Sequence, residues 1–303
     1  MPTEPDVATL LDRVPGWAGR ARVVGALSGG ITNRNLLVDV DGEQFVLRLA
    51  GKDTELLHID RAAEHEAATR AAALGIGPPV AAFLQPEGYL VTRFVPGDVL
   101  SSEELATPAR LRVVCNALHS FHESGPVSST FDCFRIPQEH RDVAIGRGVR
   151  IPATFERAAE FARDIEAAFA ALPEPRVPCH NDLLHANFIA DDHRMWLIDW
   201  EYAGMNDRYF DLGNLATNNE FDAAAEEALL ELYFGSPTPH RAARLALMKV
   251  MSDFREAMWG VVQQAISTLD FDYVAYAATH FDRLMRHASR PQFRQALAAA
   301  ASR

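Results

Sequence analysis

Three side chains in the middle of the chain have types and spacing suited to phosphoryl transfer. They lie in Cys179-His180-Asn181-Asp182-Leu183-Leu184-His185-Ala186-Asn187 and in Met195-Trp196-Leu197-Ile198-Asp199-Trp200-Glu201-Tyr202. Asp182-x-x-x-x-Asn187, followed by a short apolar strand ending at Asp199, supplies one carboxylate to orient a hydroxyl, and an amide and a second carboxylate to hold magnesium. Taken singly, each has a plainer use, since Asp and Asn cap turns and Asp often ends a strand. In this order and at this spacing the three predict an ATP-dependent kinase, with Asp182 as base and Asn187 and Asp199 as metal ligands.

The elements around the trio must bring a nucleotide to it. Leu36 to Val40 and Gln44 to Leu49 alternate about Asp41-Gly42, a pair suited to a two-residue hairpin. A second pair of strands, Val80 to Leu84 and Tyr89 to Phe94, flanks Pro86-Glu87-Gly88, and an alanine-rich helix from about Ala62 to Leu74 lies between the hairpins. A small antiparallel sheet with one helix follows. Between a first strand, Ala21 to Leu27, and the second lies Ser28-Gly29-Gly30-Ile31-Thr32-Asn33, a candidate phosphate loop. Its paired glycines let backbone N–H groups approach an anion, although Gly-Gly also serves in plain tight turns. Alternation turns Arg48 away from Leu47 and Leu49, so its guanidinium can reach phosphates with Glu64 or Glu66 orienting it; a solvated surface arginine is the plainer alternative.

Beyond Phe94-Val95-Pro96-Gly97, helical periodicity takes over. Ser101 to Glu104 has the capping-box pattern, and Thr107-Pro108 opens a helix with Leu111, Val114, Cys115, Leu118 and Phe121 on one face. Phe155 to Leu172 reads as another helix, Ser128 to Ile151 has no clear pattern, and Arg241 to Thr268 and Asp272 to Arg286 are the main helices of the last third. Glu256, Trp259 and Gln263 share one helical face, as do Tyr273, Tyr276 and His280 on the next helix. Such aromatic stripes are commonly plain core. Asp211 reads equally as a brace for a loop or as a functional carboxylate.

Composition sets the outer bounds. At 303 residues, 48% hydrophobic and 23% charged, the chain has room for two lobes with apolar cores. A net charge of −12 argues against nucleic acid as a partner and is compatible with a cationic one. With Lys52 and Lys249 the only lysines, a phosphate clamp falls to arginine. Cys115, Cys133 and Cys179 are odd in number and widely spaced, the pattern of a reducing compartment. The N-terminus has no signal-peptide pattern, and Gly75, Gly77, Pro78 and Pro79 break the most apolar run, so membrane insertion is not expected and the cytoplasm is.

The ordered set of motifs resembles the choline and ethanolamine kinase family, within the wider group of aminoglycoside-phosphotransferase-like enzymes. The matching pieces are Leu27 to Asn33, Val46-Leu47-Arg48-Leu49, His180-Asn181-Asp182 with Asn187, Ile198-Asp199-Trp200-Glu201-Tyr202, Asp211-Leu212-Gly213-Asn214, and Trp259 to Tyr276. The resemblance implies an α+β, bilobal protein-kinase-like fold, with a small antiparallel-sheet N-lobe over 1–94 and a mostly helical C-lobe over 95–303. It implies ATP and magnesium, Asp182 as base, Asn187 and Asp199 on the metal, and Arg48 on the ATP phosphates beside Ser28, Gly29, Gly30, Thr32, Asn33 and Glu64. It also implies a substrate pocket at Tyr202, Trp259 and Tyr276, where ring faces attract a cationic head; Glu201, next to Tyr202, and Glu256, on the helical face of Trp259, are counted with it. A small amino alcohol of the choline or ethanolamine type is the expected substrate, and a homodimer is left open. Two departures stand out. Glu256 takes the place of a second tryptophan found in animal members, and Trp200 replaces a phenylalanine beside the metal aspartate. Glu256 accepts a charge-assisted hydrogen bond from a substrate N–H, or, on the plainer reading, faces solvent or pairs with an arginine. An aminoglycoside or sugar kinase of the same fold, and a non-catalytic nucleotide-binding module, are the alternatives.

Overall fold

Asp41 and Gly42 take φ of +53° and +89°, the paired left-handed conformation of a type I′ turn, and so fix the register of the strands they join. The computed structural model describes residues 6–27, 33–51, 54–267 and 269–302; Ser28, Gly29, Gly30 and Thr32 lie outside the described residues. Helix α1 (Val7–Asp12) precedes strands β1 (Ala21–Ala26), β2 (Arg34–Val40) and β3 (Glu43–Leu49), then helix α2 (Arg61–Ala73), β4 (Val80–Leu84) and β5 (Tyr89–Arg93). The strands form one antiparallel sheet in the order β1-β2-β3-β5-β4. Leu36, Val38, Phe45, Leu47 and Val91 alternate onto one face, where Leu10, Leu11, Val14 and Trp17 cover them. Arg48, opposite Asn35 and Leu90 in register, points to the other side.

The remainder is mostly helical. After β6 (Asp98–Val99) come α3 (Ser102–Leu105), α4 (Pro108–His122), α5 (Ile136–Gly146) and α6 (Phe155–Ala171). The short strands β7 (Val177–Cys179), β8 (Phe188–Ala190), β9 (Met195–Leu197) and β10 (Gly204–Asn206) follow. The chain then runs through α7 (Arg208–Asn218), α8 (Ala223–Phe234), α9 (Pro239–Ile266), α10 (Tyr273–Ala288) and α11 (Pro291–Ala300). β7 pairs with β10, and β6, β8 and β9 form a three-stranded sheet. The expected capping box is present, with the Ser101 hydroxyl and the Glu104 carboxylate each accepting from the other's N–H.

The weakly patterned stretch Ser128 to Ile151 contains α5, whose buried positions include Ile136, His140 and Ala144. These fall at i, i+4 and i+8, but the central one is a histidine, so the stripe does not read as apolar. Helix α9 is the axis of this region, and every residue from Val250 to Gln263 is buried. Two glycines permit its close packing. A Cβ on Gly213 of α7 would lie 2.8 Å from the Met248 carbonyl carbon, and one on Gly260 would lie 2.9 Å from Cδ1 of Tyr276 on α10. Side chains at these positions would wedge the helices apart.

Candidate active site

The segment after β7 turns sharply because Asn181 adopts φ +68°. An asparagine tolerates this conformation better than most side chains, and the surroundings hold it there. Its amide donates to the Tyr202 carbonyl at 2.9 Å, while its side-chain oxygen accepts from Asn206 at 2.8 Å. Asp211, fully buried on α7, accepts from the backbone N–H groups of His180 at 2.8 Å and Asn181 at 2.7 Å, and from His122 Nε2 at 3.0 Å. Asp211 therefore braces the loop. His122, Cys179 and Asp211 are close enough to suggest a metal cluster, yet both Asp211 oxygens are committed to these donors. Replacing Asp211 with Ala leaves two buried N–H groups and a histidine without their acceptor. The expected loss in urea unfolding is about 2–5 kcal/mol; a loss under about 1 kcal/mol would show that the brace is dispensable.

His180 is buried, which lowers its pKa and keeps the ring neutral. Its Nδ1 accepts from the Asp182 N–H at 3.2 Å, so Nε2 is the nitrogen that donates to the Ile198 carbonyl at 2.9 Å. The ring thus ties the Asp182 backbone to the strand that delivers Asp199. Asn214 and Asn219 hold the N–H and carbonyl of Leu183 from the other side.

Asn187 donates from its amide nitrogen to the Asp182 carbonyl at 2.8 Å. That bond leaves the amide oxygen, the atom a hard cation prefers, without a protein partner among the described residues. Asp199, at φ +64°, receives Arg48 Nη1 on Oδ1 at 2.9 Å, and its second oxygen likewise has no described protein partner. Arg48 also pairs with buried Glu64. Glu66 turns elsewhere, to Arg70 at 3.1 Å and to the Ser128 N–H at 3.0 Å. Arg61 joins the network by donating to Glu64 at 2.8 Å, to Glu201 at 3.2 Å and to Asn33 at 3.1 Å. Asn33 in turn donates to Glu201 at 2.8 Å. Burial raises the Glu201 pKa, with Asp199 adding to the effect and Arg48 and Arg61 opposing it.

On the far side of Asp182 the environment becomes aromatic. Trp259 Nε1 donates to the Tyr202 hydroxyl at 3.0 Å, and the Trp259 ring lies 5.6 Å from Tyr276 and 5.9 Å from Tyr273. Glu256 is buried, not solvent-facing, and accepts from the Tyr276 hydroxyl at 2.8 Å and from Arg255 at 2.6 Å, so the arginine pair is present. The same Arg255 nitrogen donates to Asp182 Oδ1 at 3.2 Å. Burial opposes the charge on Arg255, but Glu256 and Asp182 outweigh it and raise its pKa. Burial pushes the Asp182 carboxyl up against the pull of Arg255, with Glu256, Asp199 and Glu201 pushing the same way. A raised carboxyl is a better proton acceptor once ionised, as a base requires.

The structure therefore brings Asn33, Arg48, Glu64, Asp182, Asn187, Asp199, Glu201, Tyr202, Glu256, Trp259 and Tyr276 into one connected neighbourhood. Sequence reasoning missed Arg61 and Arg255. Arg255 carries a signal in hindsight, since Arg255-Glu256 is a charged pair within a stretch whose other residues include Phe254, Ala257, Met258 and Trp259. Five carboxylates (Glu64, Asp182, Asp199, Glu201 and Glu256) face three guanidiniums (Arg48, Arg61 and Arg255), a negative excess suited to binding cations.

Comparison with known proteins places this geometry. Residues 23–245 match the phosphotransferase enzyme family. Protein LicA of Haemophilus influenzae is 31% identical over 217 residues, covering 68% of this chain and 61% of that protein, so the chain spans less than two thirds of this relative. Human ethanolamine kinase 2 is 27% identical, with 90% of this chain and 78% of that protein covered. Among solved structures, a choline/ethanolamine kinase family protein from Mesorhizobium loti superposes with a TM-score of 0.83 at 32% identity, covering 97% of this chain and 98% of that one. The chain belongs to the phosphotransferase enzyme family and, within it, to the choline/ethanolamine kinase family of that solved structure.

Proposed function

We propose that this protein transfers the γ-phosphoryl group of ATP to the hydroxyl of a small amino alcohol of the choline or ethanolamine type. The observation that carries the proposal is the position of Asp182. Its backbone carbonyl accepts from the amide of Asn187, and its carboxylate meets Arg255, which lies over the Tyr202 ring beside Trp259 and Tyr276. Asp182 orients the acceptor hydroxyl and takes its proton. Arg48, steered by Glu64, meets the ATP phosphates with Asn33 close by, and Ser28, Gly29, Gly30 and Thr32 are assigned to the same nucleotide on their sequence pattern alone. The oxygens of Asn187 and Asp199 suit magnesium, which when bound offsets phosphate charge. Glu201, Tyr202, Glu256, Trp259 and Tyr276 surround the cationic end of the substrate. The nucleotide lobe is 1–94 and the catalytic lobe 95–303.

The proposal includes work in the cytoplasm and no nucleic-acid partner, in keeping with the net charge of −12. Among the described residues no helix is long and apolar enough to cross a membrane. ATP consumption across a panel of amino alcohols, sugars and aminoglycosides tests the reading. Amino alcohols are expected to lead in kcat/KM by about 100-fold or more, because a site built to pair a substrate's polar group rejects analogues that leave its buried polar groups unpaired. A lead for sugars or aminoglycosides supports the alternative substrate class, while nucleotide binding without turnover on any hydroxyl supports a binding module.

A further inference from the structure

Tyr202 presents a ring face that is already taken. The Arg255 Cζ lies 4.2 Å from the Tyr202 ring centroid and 5.9 Å from that of Phe131, and the residue is only 2% exposed. This cation is not a loosely held side chain. Its Nη1 donates to Asp182 at 3.2 Å and to Glu256 at 2.6 Å, and Glu256 is held in turn by the Tyr276 hydroxyl at 2.8 Å. Arginine stacks well on aromatic rings and never gives up its charge, so no change of protonation vacates the face.

We propose that Arg255 sets the degree of substitution on the substrate nitrogen: it fills an aromatic face that a quaternary ammonium would use, and so directs the site toward amino alcohols that keep N–H groups. The inference rests on the amino-alcohol reading above. A trimethylated nitrogen has no hydrogen-bond donor and relies on ring faces, so losing one of them removes part of its recognition. A primary ammonium has three donors and finds acceptors in the lone pairs left on the Glu201 and Glu256 carboxylates, while Asp182 is kept for the hydroxyl. Repulsion between Arg255 and the substrate charge is common to both substrates and cancels in their ratio.

The test is the ratio of kcat/KM for choline to that for ethanolamine, in wild type, in Arg255→Leu and in Arg255→Leu/Glu256→Gln. The double variant removes the carboxylate that the single one leaves buried without its cation, which protects folding. Wild type is expected to favour ethanolamine, and both variants should move the ratio about tenfold toward choline, within the reach of one cation–π contact. Both substrates lose turnover when Asp182 loses its partner, but a shared loss leaves the ratio untouched. Inhibition of the unaltered enzyme by tetramethylammonium and by methylammonium gives a readout independent of any variant's folding, with methylammonium expected to bind more tightly. A wild type that prefers choline and tetramethylammonium, or a ratio unmoved within about twofold in a folded variant, overturns the assignment of Arg255 while leaving the amino-alcohol reading intact. If neither amino alcohol is phosphorylated and another hydroxyl is, both readings fall together.

Discussion

Replacing Asp182 with Ala is expected to lower kcat by about 10²–10⁴-fold, the range that a positioned general base contributes. Nucleotide affinity should stay within about threefold of wild type, because the base meets the acceptor hydroxyl and not the phosphates. The structure supports this separation, since the described side-chain partner of Asp182 is Arg255 at 3.2 Å, whereas Arg48 bonds to Asp199 and Glu64. Asp182→Asn is the companion variant. It keeps a hydrogen-bonding group for Arg255 and cannot accept the proton as a carboxylate does, so its kcat should fall about as far as that of the alanine variant. Single-turnover measurements with a matched ATP titration decide the matter, and near-normal turnover in either variant removes Asp182 from the base role.

The second large effect belongs to the metal. Asp199→Ala is expected to reduce magnesium-dependent turnover by about 10³-fold or more, and Asn187→Ala by less, because a carboxylate offsets cation charge and an amide does not. Asp199 also holds Arg48 at 2.9 Å, so its loss loosens the phosphate-binding guanidinium as well. Residual activity in Asn187→Ala should climb as magnesium is raised. Equal losses in the two variants, both indifferent to magnesium, would falsify the ligand assignment.

Much of the framework could be read from local sequence. The Asp41-Gly42 hairpin was legible because a two-residue turn with two positive φ angles leaves few residue choices, and the Asp182, Asn187, Asp199 order because its spacing is short. The partner of Arg48 was narrowed only to Glu64 or Glu66. Both lie on the helix after β3, and the choice depends on how α2 seats against the sheet, which periodicity does not encode. Arg61 was illegible for the same reason, since its partners Asn33 and Glu201 lie 28 and 140 residues away. Asp211 was undecided because a brace and a ligand differ only in what the carboxylate faces, and that is a tertiary fact. Helix α5 was hidden by His140 at the centre of its buried stripe.

The contact at Gly213 has a consequence for how the substrate is measured. Backbone meets backbone there, so α7, which fixes the loop of Asp182 through Asp211 and Asn214, cannot slide along α9, which carries Arg255, Glu256 and Trp259. The Asn214 amide adds a bond to Ser252 of α9 at 3.0 Å. Under the proposed function one helix pair therefore carries both ends of a ruler, with the acceptor for the hydroxyl at one mark and the pocket for the nitrogen at the other. Lengthening the substrate by one methylene displaces its hydroxyl from Asp182 even when the nitrogen is held normally, so the penalty appears in kcat as well as in KM.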